Sequence, residues 1–172
     1  ELVYAQETNL ANLVTDAMRA KTGAEIAFRN GGGIRASIEM GQITYRDILA
    51  VLPFGNTLVL LDMTGEQIMD VLDYAATIKP GSGGFLHTSG LTWTNNKGIP
   101  EKVLAGGVPL EGERMYKVVV NNFLAGGGDG YTMFTEASQF DTAFTNASAL
   151  REYIMKKGKV APKVDGRLRI IE

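Results

Sequence analysis

Apolar positions follow two periods along this chain, and the switches between them mark most of its elements. Between residues 9 and 21, Leu10, Leu13, Val14, Ala17 and Met18 recur at helical spacing, and Gly23 stands where a left-handed residue ends a helix. Ala24 to Phe28 reads as a short strand. Thr44 to Leu52 reads as a short helix closed by Pro53. Thr57 to Met63 is a continuous apolar run of strand length, the pattern of a buried strand. Thr64-Gly65-Glu66-Gln67 fits a capping box and precedes Ile68, Val71, Leu72 and Ala75 on one helical face. Beyond a Pro80-to-Gly84 loop come strand-like pieces at Gly90–Thr94 and Lys102–Leu104. Tyr116 to Val120 is the strongest strand signal. A helix over Ser148–Lys157 and a closing strand over Gly166–Ile171 complete the pattern. Helices and strands interleave irregularly, which predicts an α+β domain, a mixed sheet with packed helices, over residues 1–172.

Composition narrows the function more than the fold. Hydrophobic content of 45% and charged content of 21% are those of an ordinary globular domain. With 17 basic and 19 acidic residues the net charge is −2, which offers no footprint for a nucleic-acid polymer. No apolar run approaches the roughly 18 residues of a membrane span. Cysteine is absent, so disulfides and thiolate metal sites are excluded. One histidine, His87, cannot build a His-rich metal cluster, and it gives Ser-His-Asp or Cys-His chemistry no centre. It reads as a structural or surface residue in a loop. The chain opens at Glu1 with neither Met nor leader, as expected of an excised piece or a processed protein.

Two triple-glycine turns carry the chemistry. Gly31-Gly32-Gly33-Ile34-Arg35 and Gly126-Gly127-Gly128-Asp129-Gly130 each follow a strand-like run and deliver one charged side chain. Glycine clusters sit where backbone must turn tightly or approach a surface closely. The first turn formally matches a dinucleotide fingerprint, but Ala36 to Gly41 leaves no room for the helix that would hold pyrophosphate. No Gly-Lys-Ser/Thr follows, so the phosphate-loop pattern fails as well. Asn30 precedes the first turn, Phe54-Gly55-Asn56 follows Pro53, and Asn121-Asn122-Phe123 leads into the second turn. Phe54 and Phe123 are either core residues or flat faces for a heterocycle. Asp129 is suited to accept from two sugar hydroxyls, and Arg35 offers a planar fork for phosphate or carboxylate. By themselves these residues point to a nucleotide-like ligand, against the plainer reading of tight turns with a solvated Arg.

The same stretches resemble the C-terminal domain of 5'-nucleotidases. The resemblance runs from Glu7 to the C-terminus through Asn30-Gly-Gly-Gly-Ile-Arg35, Leu52-Pro-Phe-Gly-Asn56, Thr64-Gly65, Ser82-Gly83-Gly84 and Asn122-Phe-Leu-Ala-Gly-Gly-Gly-Asp-Gly-Tyr131. It is strongest for the bacterial periplasmic 5'-nucleotidase and UDP-sugar hydrolase branch. The resemblance implies a domain that binds the nucleoside and presents its phosphate to an N-terminal metallophosphoesterase domain of the same polypeptide, outside this chain. Two divalent metal ions would belong to that other domain, with no cofactor here, and the location would be periplasmic or extracellular. Phe54 and Phe123 would sandwich the base, with Asn30 and Asn56 near it and Gly83 adding a backbone contact. Asp129 would take the ribose hydroxyls and Arg35 the charged end of the substrate. Where family members usually carry a further substrate-binding Arg, before the Glu7-Thr8-Asn9 segment, this chain has Tyr4. Neighbouring readings are the corresponding domain of a 2',3'-cyclic phosphodiesterase and 3'-nucleotidase, of a UDP-sugar hydrolase or of the sulfur-oxidation branch, or a nucleoside-binding module without catalysis.

Overall fold

The computed structural model describes residues 2–171. Helix α1 (Asn9–Thr22) opens where the Thr8 side chain accepts from the Ala11 N–H, and it ends on Gly23 at φ 73°. Strand β1 (Ile26–Asn30) runs into a single 3-10 turn at Gly31–Gly33. No helix follows that turn until α2 (Tyr45–Val51), in agreement with the rejection of a dinucleotide fold. Strand β2 (Thr57–Thr64) passes directly into α3 (Gly65–Thr77) through the predicted capping box: Thr64 accepts from the Gln67 N–H, and Gln67 accepts from the Thr64 N–H. Then come β3 (Leu86–Ser89), β4 (Leu91–Asn96), β5 (Ile99–Ala105) and the two-residue β6 (Val108–Pro109). Strand β7 (Met115–Asn121), a single-turn helix α4 (Asn122–Ala125), β8 (Ser138–Thr145), α5 (Asn146–Lys157) and β9 (Leu168–Ile171) complete the described chain.

The strands form two mixed sheets, one ordered β3-β1-β7-β2-β8 and the other β6-β5-β4-β9. In the five-stranded sheet only β1 and β7 are parallel. Alternate residues of a strand face opposite ways, and both faces of the sheet's central strands β1, β7 and β2 are covered. Ile26 and Phe28 of β1, Val59, Leu61 and Met63 of β2, and Tyr116, Val118 and Val120 of β7 pack with α3 and with Leu91 and Trp93 of the second sheet. Ala27, Leu58 and Val119 point the other way, onto Val14, Ala17 and Met18 of α1, Ile48 and Val51 of α2, and Leu150 of α5. That double coverage explains why β2 reads as a nearly unbroken apolar run.

Two strands depart from the expectation. Strand β8 lies at the sheet edge with both faces largely exposed, so no period marks it. Strand β3, Leu86-His87-Thr88-Ser89, is buried throughout although three of its four residues are polar. His87 is therefore a buried strand residue, not a loop or surface one: it is 3% exposed, with Nε2 2.7 Å from the Val3 carbonyl.

Candidate functional site

Strand direction decides where the site lies. The ends of β1 and β7 lie together because those strands are parallel. The starts of β2 and β3 join them because each runs antiparallel to its neighbour, with Leu58 opposite Asn121 and Leu86 opposite Asn30. Four connections therefore emerge on one edge of the sheet: the two glycine turns, the Phe54–Asn56 loop and the Ser82–Gly84 loop. Every residue assigned to ligand binding from the sequence sits on one of these four or, as Asn30 and Phe123 do, on the strand end or single-turn helix that leads into one.

The two glycine turns meet directly. Asn30 is only 4% exposed; its amide nitrogen donates to Asp129 Oδ2 at 2.7 Å, and its carbonyl oxygen accepts from Asn121 Nδ2 at 3.0 Å. Asn121 in turn accepts from the Leu124 N–H at 2.7 Å, which caps α4. Asp129 has φ 54°, between Gly127 at 84° and Gly130 at 85°. Asp is among the few residues with a side chain that tolerate this left-handed region. The Tyr74 hydroxyl donates to the Asp129 carbonyl at 2.9 Å, and a Cβ on Gly130 would stand 2.1 Å from that hydroxyl. The carboxylate is thus presented by a backbone held from both sides, and it retains acceptor capacity beyond its bond to Asn30. The third loop is tied in by Gly32, whose N–H donates to the Gly83 carbonyl at 2.7 Å.

The two phenylalanines are not core. Phe54 is 60% exposed and Phe123 is 45% exposed, which removes the alternative left open by the sequence. Phe123 lies against bare backbone: a Cβ on Gly128 would come within 2.5 Å of its ring. Arg35 donates through Nη1 to the Tyr4 hydroxyl at 3.0 Å, and its guanidinium carbon lies 6.0 Å from the Phe54 ring centre. Asn56 donates to Asn122 Oδ1 at 2.8 Å, joining the Phe54 loop to the second turn. The edge therefore carries two accessible aromatic faces, a fixed carboxylate, a guanidinium and side-chain amides.

Behind these groups sits a layer that the sequence did not reveal. Tyr131 is buried and donates to the Gly84 carbonyl at 2.8 Å. Burial, with smaller contributions from Tyr74 and Asp129, holds its phenol above the ordinary range, so it remains a donor. Tyr74 comes from α3, 55 residues from Asp129, and only the folded chain brings the two together. Asn121 and Asn122 were visible as the approach to the second turn, but their partners were not. Burial lowers the pKa of His87 to about 4, against a smaller upward push from its bond to Val3, so the ring is neutral at pH 7. Among the described residues no group of three His, Asp or Glu side chains is arranged to hold a metal ion.

Comparison with known proteins gives this edge a context. A sequence model of the family described as "5'-nucleotidase, C-terminal domain" matches residues 2–136. The chain is 41% identical to the Trifunctional nucleotide phosphoesterase protein YfkN of Bacillus subtilis, matching 98% of this chain and 13% of that protein. It is 37% identical to Protein UshA of Escherichia coli, over 87% of this chain and 28% of that one. The crystal structure of a 5'-nucleotidase precursor from Thermus thermophilus superposes with a TM-score of 0.92 at 40% identity, covering 98% of this chain and 36% of that one. The NAD nucleotidase of Haemophilus influenzae, 22% identical with a TM-score of 0.81, shares the fold. The chain spans less than a third of the length of the curated relatives it matches, from 13% to 29%.

Proposed function

The chain belongs to the 5'-nucleotidase C-terminal domain family, and from that premise we propose that it is the substrate-binding domain of a nucleotide-hydrolysing enzyme. It grips the base between Phe54 and Phe123, with Asn56 and the Gly83 backbone beside the base. Asp129, set by Asn30, accepts from the ribose hydroxyls, and Arg35 faces the phosphate. The observation that carries this reading is the meeting of two exposed phenylalanines with a buried-amide-anchored carboxylate on one sheet edge. Apolar faces and a fixed acceptor pair are what a nucleoside requires.

Catalysis belongs to a metallophosphoesterase domain of the same polypeptide, beyond this chain. Two divalent metals there would polarise the phosphoryl oxygen and lower the pKa of the attacking water. The part played by this chain is positional: holding base and ribose converts remote binding energy into alignment of the phosphate. The whole protein would act in the periplasm or outside the cell, and no described helix is long and apolar enough to cross a membrane.

Titration calorimetry of this chain with adenosine tests the site. Phe54→Ala and Phe123→Ala should each weaken binding by roughly 1–3 kcal/mol, the range for one base–aromatic stack. Unchanged affinity in both variants would reject the sandwich. The chain alone should release no phosphate from any nucleotide. A second reading, that the whole enzyme cleaves several classes of nucleotide phosphoester, is favoured by the 41% identity to a protein named as a trifunctional phosphoesterase. Assays of the full polypeptide on 5'-AMP, 3'-AMP and 2',3'-cyclic AMP separate it from a strict 5'-nucleotidase.

A further inference from the structure

Arg29 has no part in the site as described, yet two of its four loops hang from it. It lies on β1, 1% exposed, and no carboxylate stands within ion-pair distance of it among the described residues. Its Nη2 donates to the Gly33 carbonyl at 2.8 Å and its Nη1 to Asn146 Oδ1 at 3.0 Å. Nε has no partner among the described residues. Asn146 carries the connection onward: its side-chain amide and its backbone N–H both donate to the Asn56 carbonyl, at 2.8 and 2.9 Å. A single guanidinium thus anchors the Gly31–Arg35 turn directly and the Phe54–Asn56 loop through one amide. Gly33 makes room for it, since a Cβ there would fall 2.3 Å from Nη2.

An unpaired buried guanidinium is costly, because its lost hydration is repaid only by neutral acceptors. Burial lowers its pKa to about 10, so it still carries its charge at pH 7. His87, opposite it across the β1–β3 pair, is neutral at that pH and contributes no second charge. Arg29 therefore sets a positive charge, not directly paired, behind the loops, in a medium that screens it less than water does.

We propose that Arg29 is a positioning residue for the nucleotide site, holding the Arg35 turn and the Phe54 loop in register while its unpaired charge biases the site toward phosphorylated ligands over uncharged nucleosides. The inference rests on the nucleoside site proposed above. Loss of the anchor alone also lowers nucleotide affinity, because the turn it holds carries Arg35; the charge is isolated by comparing a variant that loses anchor and charge with one that loses the anchor and keeps the charge.

Calorimetric titration of the chain with adenosine and with adenosine 5'-monophosphate, alongside thermal unfolding to verify the fold, distinguishes these cases. In Arg29→Gln, which loses both anchor and charge, the ratio of nucleotide to nucleoside affinity should fall about threefold to tenfold. In Arg29→Lys the charge remains but the two-armed anchor is lost, so both ligands should weaken and the ratio should fall clearly less than in Arg29→Gln. A ratio unchanged in Arg29→Gln, or one that falls equally in Arg29→Gln and Arg29→Lys, overturns the proposal. Should Arg29→Gln not fold, Asn146→Asp sets a carboxylate against the guanidinium at the cost of the amide's bond to the Asn56 carbonyl, so both ligands weaken and the ratio must also fall; an unchanged ratio there is equally fatal. Failure of the unaltered chain to bind adenosine would instead overturn the nucleoside site and this inference with it.

Discussion

At the scale of single residues, the second glycine turn separates binding from folding. Gly128 has no special backbone conformation, but a Cβ on it would press into the Phe123 ring at 2.5 Å. That ring is half-exposed and free to swing aside, so the clash moves the aromatic face and leaves the core alone. Gly128→Ala should therefore change unfolding free energy by less than about 1 kcal/mol yet weaken adenosine binding by most of a stacking contribution, roughly 1–3 kcal/mol. Chemical unfolding and calorimetry on the same variant check both halves; a stability loss without a binding loss would place Phe123 outside the site. Asp129 makes a second test. Asp129→Asn removes the charge that favours donation by sugar hydroxyls, so it should penalise adenosine more than 2',3'-dideoxyadenosine. Equal losses for the two ligands would remove the ribose role.

At the scale of elements, α3 links the core to the site: its first turn is set by Thr64, and Tyr74 near its end holds the Asp129 backbone. Thr64→Ala breaks a reciprocal cap and should cost about 1 kcal/mol of stability. Denaturant midpoints measure it, and adenosine affinity should stay unchanged because the helix remains docked through Ile68, Val71 and Leu72. That capping box was legible in four consecutive residues, as were α1, β2 and β7, because local chemistry and period agree in those stretches. Strand β3 was not legible, because two of its three polar side chains are satisfied by distant partners: His87 by Val3, and Ser89 by Asp16 at 2.6 Å. Strand β8 escaped for the opposite reason, since an edge strand with two wet faces needs no alternation. The site divides in the same way. Glycine clusters announced Arg35 and Asp129, whereas the Asn30–Asp129 bond and the Arg29 anchor depend on which strands lie side by side, and no short window records that.

At the scale of the whole molecule, His87 makes stability depend on acidity in a window of its own. Its ring faces the Val3 carbonyl, so the neutral form donates Nε2–H and joins β3 to the N-terminal turn carrying Tyr4, the partner of Arg35. Burial is the largest influence on the ring, and the charge on Arg29 further disfavours protonation, so the pKa falls from 6.5 to about 4. Between those values the unfolded chain binds a proton that the folded chain refuses, so folding weakens as pH falls. The stabilisation is complete above about pH 6.5 and is lost progressively down to about pH 4, of the order of 3 kcal/mol in all. The carboxylates Asp47 and Asp165, whose pKa values are lowered from 3.8 chiefly by hydrogen bonds from Thr44 and Arg167, lose their contributions only at more acidic pH. The histidine therefore contributes a slope between pH 6.5 and 4 that these two carboxylates do not. Urea unfolding at pH 7, 5.5 and 4.5 should show stability falling stepwise, and His87→Gln, which offers an amide donor that does not titrate, should flatten that slope. A slope of equal steepness in the variant would assign the acid sensitivity to other groups and detach the N-terminal turn from it.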